Sequence, residues 1–208
     1  MFSNYLKLSI RYLIINKGYF IINLLGLIIG ITAFTLIVLW IKTETSYDTF
    51  HKHANDIYRV DYLLYEEGVL EQHSASGSHG IGREMKNTYP EVLEYTRFFR
   101  TESLVKYGDV TFKERNLLYA QSSFFDLFSF PLVAGKADSN LLAINRAVVT
   151  EETARKYFGD EDPMGKLITI DGATDYMITG IVRSIPQNSH FKFDILVSYE
   201  NLIQNSQR

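Results

Sequence analysis

From Gly18 to Ile41 the sequence carries no charged residue, and Lys17 and Lys42 bracket the run. As a helix rising about 1.5 Å per residue, such a run reaches roughly 36 Å, enough to cross a hydrocarbon core of about 30 Å. A secretory signal has a shorter apolar stretch, about 7–15 residues, followed by a small-x-small cleavage site. Here the run ends in Trp40-Ile41-Lys42-Thr43-Glu44, which offers no such site. A buried core helix of this length needs a polar edge, and this one has none. The pattern predicts a retained transmembrane helix over residues 18–42.

Charge orients it. Residues 1–42 contain Lys7, Arg11, Lys17 and Lys42 and no acid, and Glu44 is the first acidic residue. Lys7, Arg11 and Lys17 precede the span, so the positive-inside rule keeps the N-terminus cytoplasmic. The chain's net charge is −3, which leaves residues 43–208 acidic. An acidic domain offers no basic face to neutralise phosphates, which excludes nucleic acid as a partner.

Phe2, Tyr5, Leu6, Ile10, Leu13 and Ile14 recur at helical spacing, with Asn4, Lys7 and Arg11 opposite. Residues 1–17 therefore read as an amphipathic helix on the inner membrane surface, with Lys7, Arg11 and Lys17 towards lipid headgroups and a bend at Lys17-Gly18. The plainer alternative is an extended start of the span. Within the span, Gly26 and Gly30 form a GxxxG pair with Ala33 on the same side. Small residues at that spacing let another helix backbone approach closely. The expectation is a face that packs against other membrane helices, the alternative being an anchor with incidental glycines.

Residues 43–208 suffice for one domain with its own core, and 14 Phe and 14 Tyr in the chain supply bulky core material. There is no cysteine, hence no disulfide framework and no thiolate metal site. The pattern is α+β. Strands are expected at Ile57–Leu63, Tyr95–Phe99, Leu104–Tyr107, Val110–Lys113 and Leu117–Ala120, with Gly108-Asp109 as a hairpin turn. Further strands are expected at Ala147–Val149, Leu167–Ile170, Tyr176–Val182 and Phe191–Val197. Helices are expected at Gly80–Thr88, from a Ser122 or Ser123 cap through Phe128, and from a Thr150 cap to Gly159.

Chemistry-bearing motifs fail on inspection. Gly159 to Lys166 superficially resembles a phosphate loop, but five residues separate its glycines, Leu167 follows the lysine, and a helix precedes it. It reads as a helix-ending turn, and Asp160, Glu161 and Asp162 lack the remaining positions of a calcium loop. His51 and His53 flank Lys52, a spacing that suits a metal only if carboxylates converge from elsewhere, while His73, His79 and His190 fall in polar loops. No serine sits in a Gly-x-Ser-x-Gly elbow, and no carboxylate pair stands out. The residues indicate no enzyme, no catalytic group, no cofactor and no metal.

Several ordered segments nevertheless form a pattern. They begin with Asn4-Tyr5-Leu6-Lys7, Asn16-Lys17-Gly18-Tyr19 and Asn23-Leu24-Leu25-Gly26-Leu27 with Gly30. Ser46-Tyr47-Asp48-Thr49-Phe50-His51, Ile57-Tyr58-Arg59-Val60 and Phe124-Phe125-Asp126-Leu127-Phe128-Ser129-Phe130-Pro131-Leu132 with Gly135 follow. The last are Val148-Val149-Thr150-Glu151, Tyr157-Phe158-Gly159, Asp162-Pro163, Gly165-Lys166, Thr179-Gly180-Ile181-Val182 and Ile185-Pro186-Gln187-Asn188-Ser189-His190-Phe191. Together they resemble the N-terminal part of FtsX/MacB-type ABC transporter permeases, in the form common in Bacteroidota. That resemblance implies a first membrane helix in the bacterial inner membrane, then a periplasmic MacB-like core domain at 43–208, whose completeness it leaves open. It implies coupling of ATP hydrolysis by a separate cytoplasmic ATPase subunit to motion of the periplasmic domain. Its partners would be that ATPase, other permease helices or a second permease copy, and membrane lipid, with the periplasmic partner unspecified. Such permeases carry three more spans, whereas this sequence ends at Arg208 before a second one. The rival reading is a single-span anchored periplasmic sensor or binding domain.

Overall fold

The computed structural model describes residues 2–78, 80–136 and 143–206, excepting the side chains at 2–4, 6–7, 9–10 and 205–206. It is mixed α+β, an apolar N-terminal helix followed by a sheet-rich domain, and it divides into two compact units at Tyr47/Asp48.

In the first unit α1 (Phe2–Ile15) and α2 (Lys17–Glu44) are separated by Asn16 alone. The expected bend at Lys17-Gly18 therefore falls one residue earlier. The Asn16 side-chain amide donates to the Tyr12 carbonyl at 3.3 Å, a local bond that competes with helix continuation. Helix α2 has a mean hydropathy of 2.6 over its apolar window and buries none of its residues within the chain. Thr35 and Thr43, polar residues in an apolar helix, donate their hydroxyls to the carbonyls of Ile31 and Leu39 at 2.8 and 2.9 Å. At the C-terminal end, Thr45 and Ser46 hydroxyls satisfy the carbonyls of Ile41 and Thr43.

The second unit is built on a seven-stranded sheet: β3 (Phe98–Tyr107), β4 (Val110–Ala120), β5 (Leu132–Ala134), β6 (Arg146–Thr150), β7 (Leu167–Ile170), β8 (Thr174–Val182) and β9 (Ile195–Ser198). A separate hairpin joins β1 (Tyr62–Glu66) to β2 (Val69–Ser74). The sheet order is β5-β8-β6-β9-β4-β3-β7, and β7 also pairs with β8, so the ladder returns on itself. Strands β4, β6 and β9 occupy its middle and are buried on both faces, which is why Leu117–Ala120, Ala147–Val149 and Ile195–Val197 read as unbroken apolar runs. Alternation sorts their side chains. Leu117, Tyr119, Ala147, Val149, Ile195 and Val197 join one core with Tyr157 and Phe158 of α5 (Glu151–Phe158). Leu118, Ala120, Val148 and Leu196 join another, made chiefly of phenylalanines.

Local signals place several elements. Thr150 Oγ1 accepts from the Thr153 amide at 3.2 Å and caps α5, Glu151 and Glu152 fill its first turn, and Gly159 ends it at φ +61°. Gly108, at φ +55°, opens the two-residue turn between Tyr107 and Val110. The helix expected at Gly80–Thr88 is α3 (Ile81–Thr88), where a Cβ on Gly82 would lie 2.4 Å from the Tyr95 ring.

Other elements differ in extent from these expectations. Four short strands expected between 95 and 120 are two long ones, β3 and β4, interrupted by a bulge near Thr101/Ser103. Tyr95–Arg97 stays outside, because Ser123 Oγ donates to the Tyr95 carbonyl and the Arg97 amide donates to Gln121 Oε1. Ser123 thus tethers Tyr95 and makes no side-chain cap for the short α4 (Phe124–Leu127). The strand expected at 57–63 begins only at Tyr62, since Ile57 packs against the phenylalanine core and Arg59 bonds Asp61. The strand expected at 191–197 begins at Ile195, because the amides of His190 and Phe191 bond Asp48 and Ser189 side chains. Strands β2 and β5 and helix α6 (Tyr199–Ser206) are not anticipated by the sequence pattern.

Candidate functional site

Four residues after α2 ends, Asp48 adopts φ +54°, a left-handed conformation that Asp tolerates better than most residues. The turn aims both its amide and its carboxylate at the loop 186–191. Its amide donates to the Asn188 carbonyl at 3.0 Å. Its carboxylate accepts from Ser189 Oγ at 2.9 Å, from the His190 amide at 3.2 Å, and pairs with His190 Nδ1 at 2.7 Å. Burial alone would raise the Asp48 pKa, but the hydrogen bonds from His190 and Ser189 outweigh it and hold it below the ordinary 3.8. The loop is braced in turn by Lys192, whose ammonium donates to the carbonyls of Pro186 and Gln187.

Three residues on, His51 is 4% exposed and sits among Phe50, Phe128, Phe130 and Phe191, with ring centroids 4.1 to 6.4 Å away. The Ser129 amide donates to its Nδ1 at 3.1 Å, and the Lys52 amide donates to Ser129 Oγ at 3.0 Å. A backbone N–H can only donate, so Nδ1 carries the lone pair and the ring proton is on Nε2. Among the described residues Nε2 has no hydrogen-bond partner, and Asp48 Oδ1 is 4.0 Å away. Burial depresses the His51 pKa from 6.5, partly offset by the Asp48 charge.

This arrangement is a clasp. It joins segments 48–52, 128–130 and 188–191, and the aromatic rings behind it pack on the β4–β6–β9 face. It contains Ser, His and Asp but no nucleophile poised against a base. Ser189 donates to a carboxylate and His51 receives a backbone amide, so the bonding holds segments together and activates nothing.

A second polar group lies on the other face. The Glu114 carboxylate, 4% exposed, accepts from the Tyr157 hydroxyl at 2.6 Å and from Lys156 Nζ at 2.7 Å. Burial and the Glu114 carboxylate push the Tyr157 phenol far above its ordinary value. Asp194, bonded to Asn116, is raised by burial and by the nearby Glu114 charge. Glu114 is closed off by its own partners.

The residues singled out in the sequence are placed as follows. Gly26, Gly30 and Ala33 are exposed along α2, with open space where a Cβ on either glycine would project. Arg11 and Lys17 are exposed on α1 and at the start of α2, and the Lys7 side chain lies outside the described residues. His79 also lies outside them, His53 is exposed, and His73 bonds Asp61. Among the described residues no three His, Asp or Glu side chains are arranged to hold a metal ion. Gly159–Lys166 is a turn, closed by Gly165 donating to the Ile178 carbonyl, and Lys166 pairs with Glu161 over the Tyr107 and Phe158 rings. The clasp residues Asp48, Ser129 and Ser189 carried no sequence signal of their own role. Ser189 lies 141 residues from Asp48, beyond any spacing rule.

A family profile described as the MacB-like periplasmic core domain matches residues 20–208. Among solved structures, the chain is similar to a domain described as part of a permease protein from Porphyromonas gingivalis. Identity is 26% and the TM-score 0.51, covering 59% of this chain and 58% of that one. It is also similar to the periplasmic region of MacB from Actinobacillus actinomycetemcomitans, at 17% identity and a TM-score of 0.45 over 54% of this chain and 51% of that one. The extracellular domain of the noncanonic ABC-type transporter YknZ from Gram-positive bacteria matches at 15% identity and 0.45, over 54% and 58%. The chain therefore spans little more than half the length of these structures. No curated protein matches.

Proposed function

The chain belongs to the MacB-like periplasmic core domain family, and from that premise we propose that it is the membrane-anchored N-terminal part of an FtsX/MacB-type ABC transporter permease. The observation that carries the reading is the family match itself, which runs from residue 20, inside the apolar helix, through the sheet domain. In this reading α2 crosses the inner membrane, Lys7, Arg11 and Lys17 stay cytoplasmic, and residues 43–208 are periplasmic. A separate cytoplasmic ATPase subunit supplies the hydrolysis, since this chain has no phosphate-loop sequence. The chain itself is not an enzyme. Motion of α2 reaches the periplasmic domain through Thr45–Tyr47 and is delivered by the clasp at Asp48 to segments 128–130 and 188–191. Coupling of this kind requires an element with two arrangements that nucleotide state biases.

Orientation is tested with a reporter active only outside the cytoplasm, fused after Val197. Activity is expected, and activity of a cytoplasmic reporter alone at that position overturns the topology. Coupling is tested with the permease and its ATPase subunit reconstituted in nanodiscs. Asp48→Ala should lower ATP hydrolysis while leaving the assembly intact, and unchanged hydrolysis overturns the role given to the clasp.

A further inference from the structure

We propose that His51 makes the clasp a proton-sensitive latch, closed when its imidazole is neutral and released when it takes up a proton. The inference deepens the reading of the clasp as a coupling element and rests on it only for the consequence to transport.

The geometry leaves a proton no place to go. The imidazole has one free lone pair, at Nδ1, and the Ser129 amide already occupies it at 3.1 Å. A proton there would set two donors against each other and break the bond that seats residues 128–130. The charge would also be held among the rings of Phe50, Phe128, Phe130 and Phe191. Burying a charge in such surroundings is expensive unless it is paired. Charged or titratable groups on the surrounding segments are Asp48, Lys52 and His53 on its own, Asp126 on α4, and His190 and Lys192 on the loop. Asp48 is the one whose charge acts on His51, and its effect is smaller than that of burial. Its carboxylate is also engaged by Ser189 and His190, with Nε2 left 4.0 Å away.

The sign follows. A group whose pKa is depressed in the closed state binds protons better when released, so acid favours release. Asp48 stays ionised down to its own depressed pKa and contributes no change between pH 7.5 and 5.5.

The test is hydrogen exchange on the full chain in nanodiscs, following the Ser129 and Lys52 amides with correction for intrinsic exchange. A released imidazole of ordinary pKa 6.5 is about nine-tenths protonated at pH 5.5, so opening should rise between pH 7.5 and 5.5, up to a limit of about tenfold if the closed imidazole takes up no proton. Amides of Val148 and Val149 in β6 should not follow. His51→Asn keeps an oxygen near the Nδ1 position to receive the Ser129 amide but cannot titrate, so its protection should be flat across that range. A chain whose protection is flat, or increases, on acidification overturns the latch. So does a pH effect that survives in His51→Asn or disappears in His190→Asn. Should the Asn variant not fold, the imidazole nitrogen spectrum of the unaltered chain decides. An unprotonated Nδ1 at pH 7.5 that titrates in step with opening supports the latch, and a His51 that protonates while the Ser129 amide stays protected overturns it. Release on acidification in a chain that recruits no ATPase supports the latch and counts only against the coupling role.

Discussion

Replacing Asp48 with alanine removes three hydrogen-bond contacts at once, and their burial decides what each contributes. Ser189 is 2% exposed, so losing its carboxylate partner leaves a hydroxyl with little access to water, at a cost of about 1–3 kcal/mol. His190 is largely exposed, with 72% of its side chain accessible, and its contact with Asp48 contributes only about 0–1 kcal/mol. Alanine must also hold φ +54°, which adds about 1–2 kcal/mol for a residue without local side-chain bonding. The expected loss is about 2–6 kcal/mol for Asp48→Ala. Asp48→Asn keeps one acceptor oxygen and tolerates the backbone, so about 1–2 kcal/mol is expected. Urea unfolding of the full chain in dodecylmaltoside, followed by circular dichroism in the sheet band, reads both. The pH dependence gives a second check. Because the carboxylate is held below 3.8, its stabilisation is complete above the ordinary carboxylate range and fades as pH falls through the depressed value. The difference between the unaltered chain and Asp48→Asn should therefore be level from pH 8 to about 5 and shrink below about 4. Equal losses in the two variants, or a difference that grows in acid, would refute the reasoning.

Glu114→Ala should cost about 1–3 kcal/mol in the same assay, because the buried Tyr157 hydroxyl keeps only its 3.3 Å bond to the Val105 carbonyl, while the half-exposed Lys156 ammonium turns to water. A loss under about 0.5 kcal/mol would mean water replaces the carboxylate. Gly26→Leu and Gly30→Leu should leave insertion and orientation unchanged but weaken association with partner membrane helices, read by co-purification in mild detergent at matched expression. Ile29→Leu, on a different side of α2, is the control, and association equal to the parent in both leucine variants would make the glycines incidental.

What the sequence determined is what short stretches decide alone. An uncharged run from Gly18 to Ile41 is helical wherever water is scarce, since only a helix satisfies its own backbone within one segment. Thr150, Glu151, Glu152 and Gly159 mark the ends of α5 within a few residues, and Gly108-Asp109 turns a hairpin for local steric reasons. Tertiary structure decided wherever a backbone or side-chain group had more than one partner available. Tyr95–Arg97 has strand-like composition, yet the distant Ser123 and Gln121 side chains capture its carbonyl and amide before a ladder can, and the Phe191 amide is taken by the Ser189 hydroxyl two residues back. The same holds for the clasp. Asp48, Ser129 and Ser189 are ordinary loop residues until the sheet brings them together across 77 to 141 residues. Bond energies of this kind are local, but the choice of partner is made by closing long loops. That choice depends on how β4, β6 and β9 stack their apolar faces, which no neighbourhood of the sequence contains.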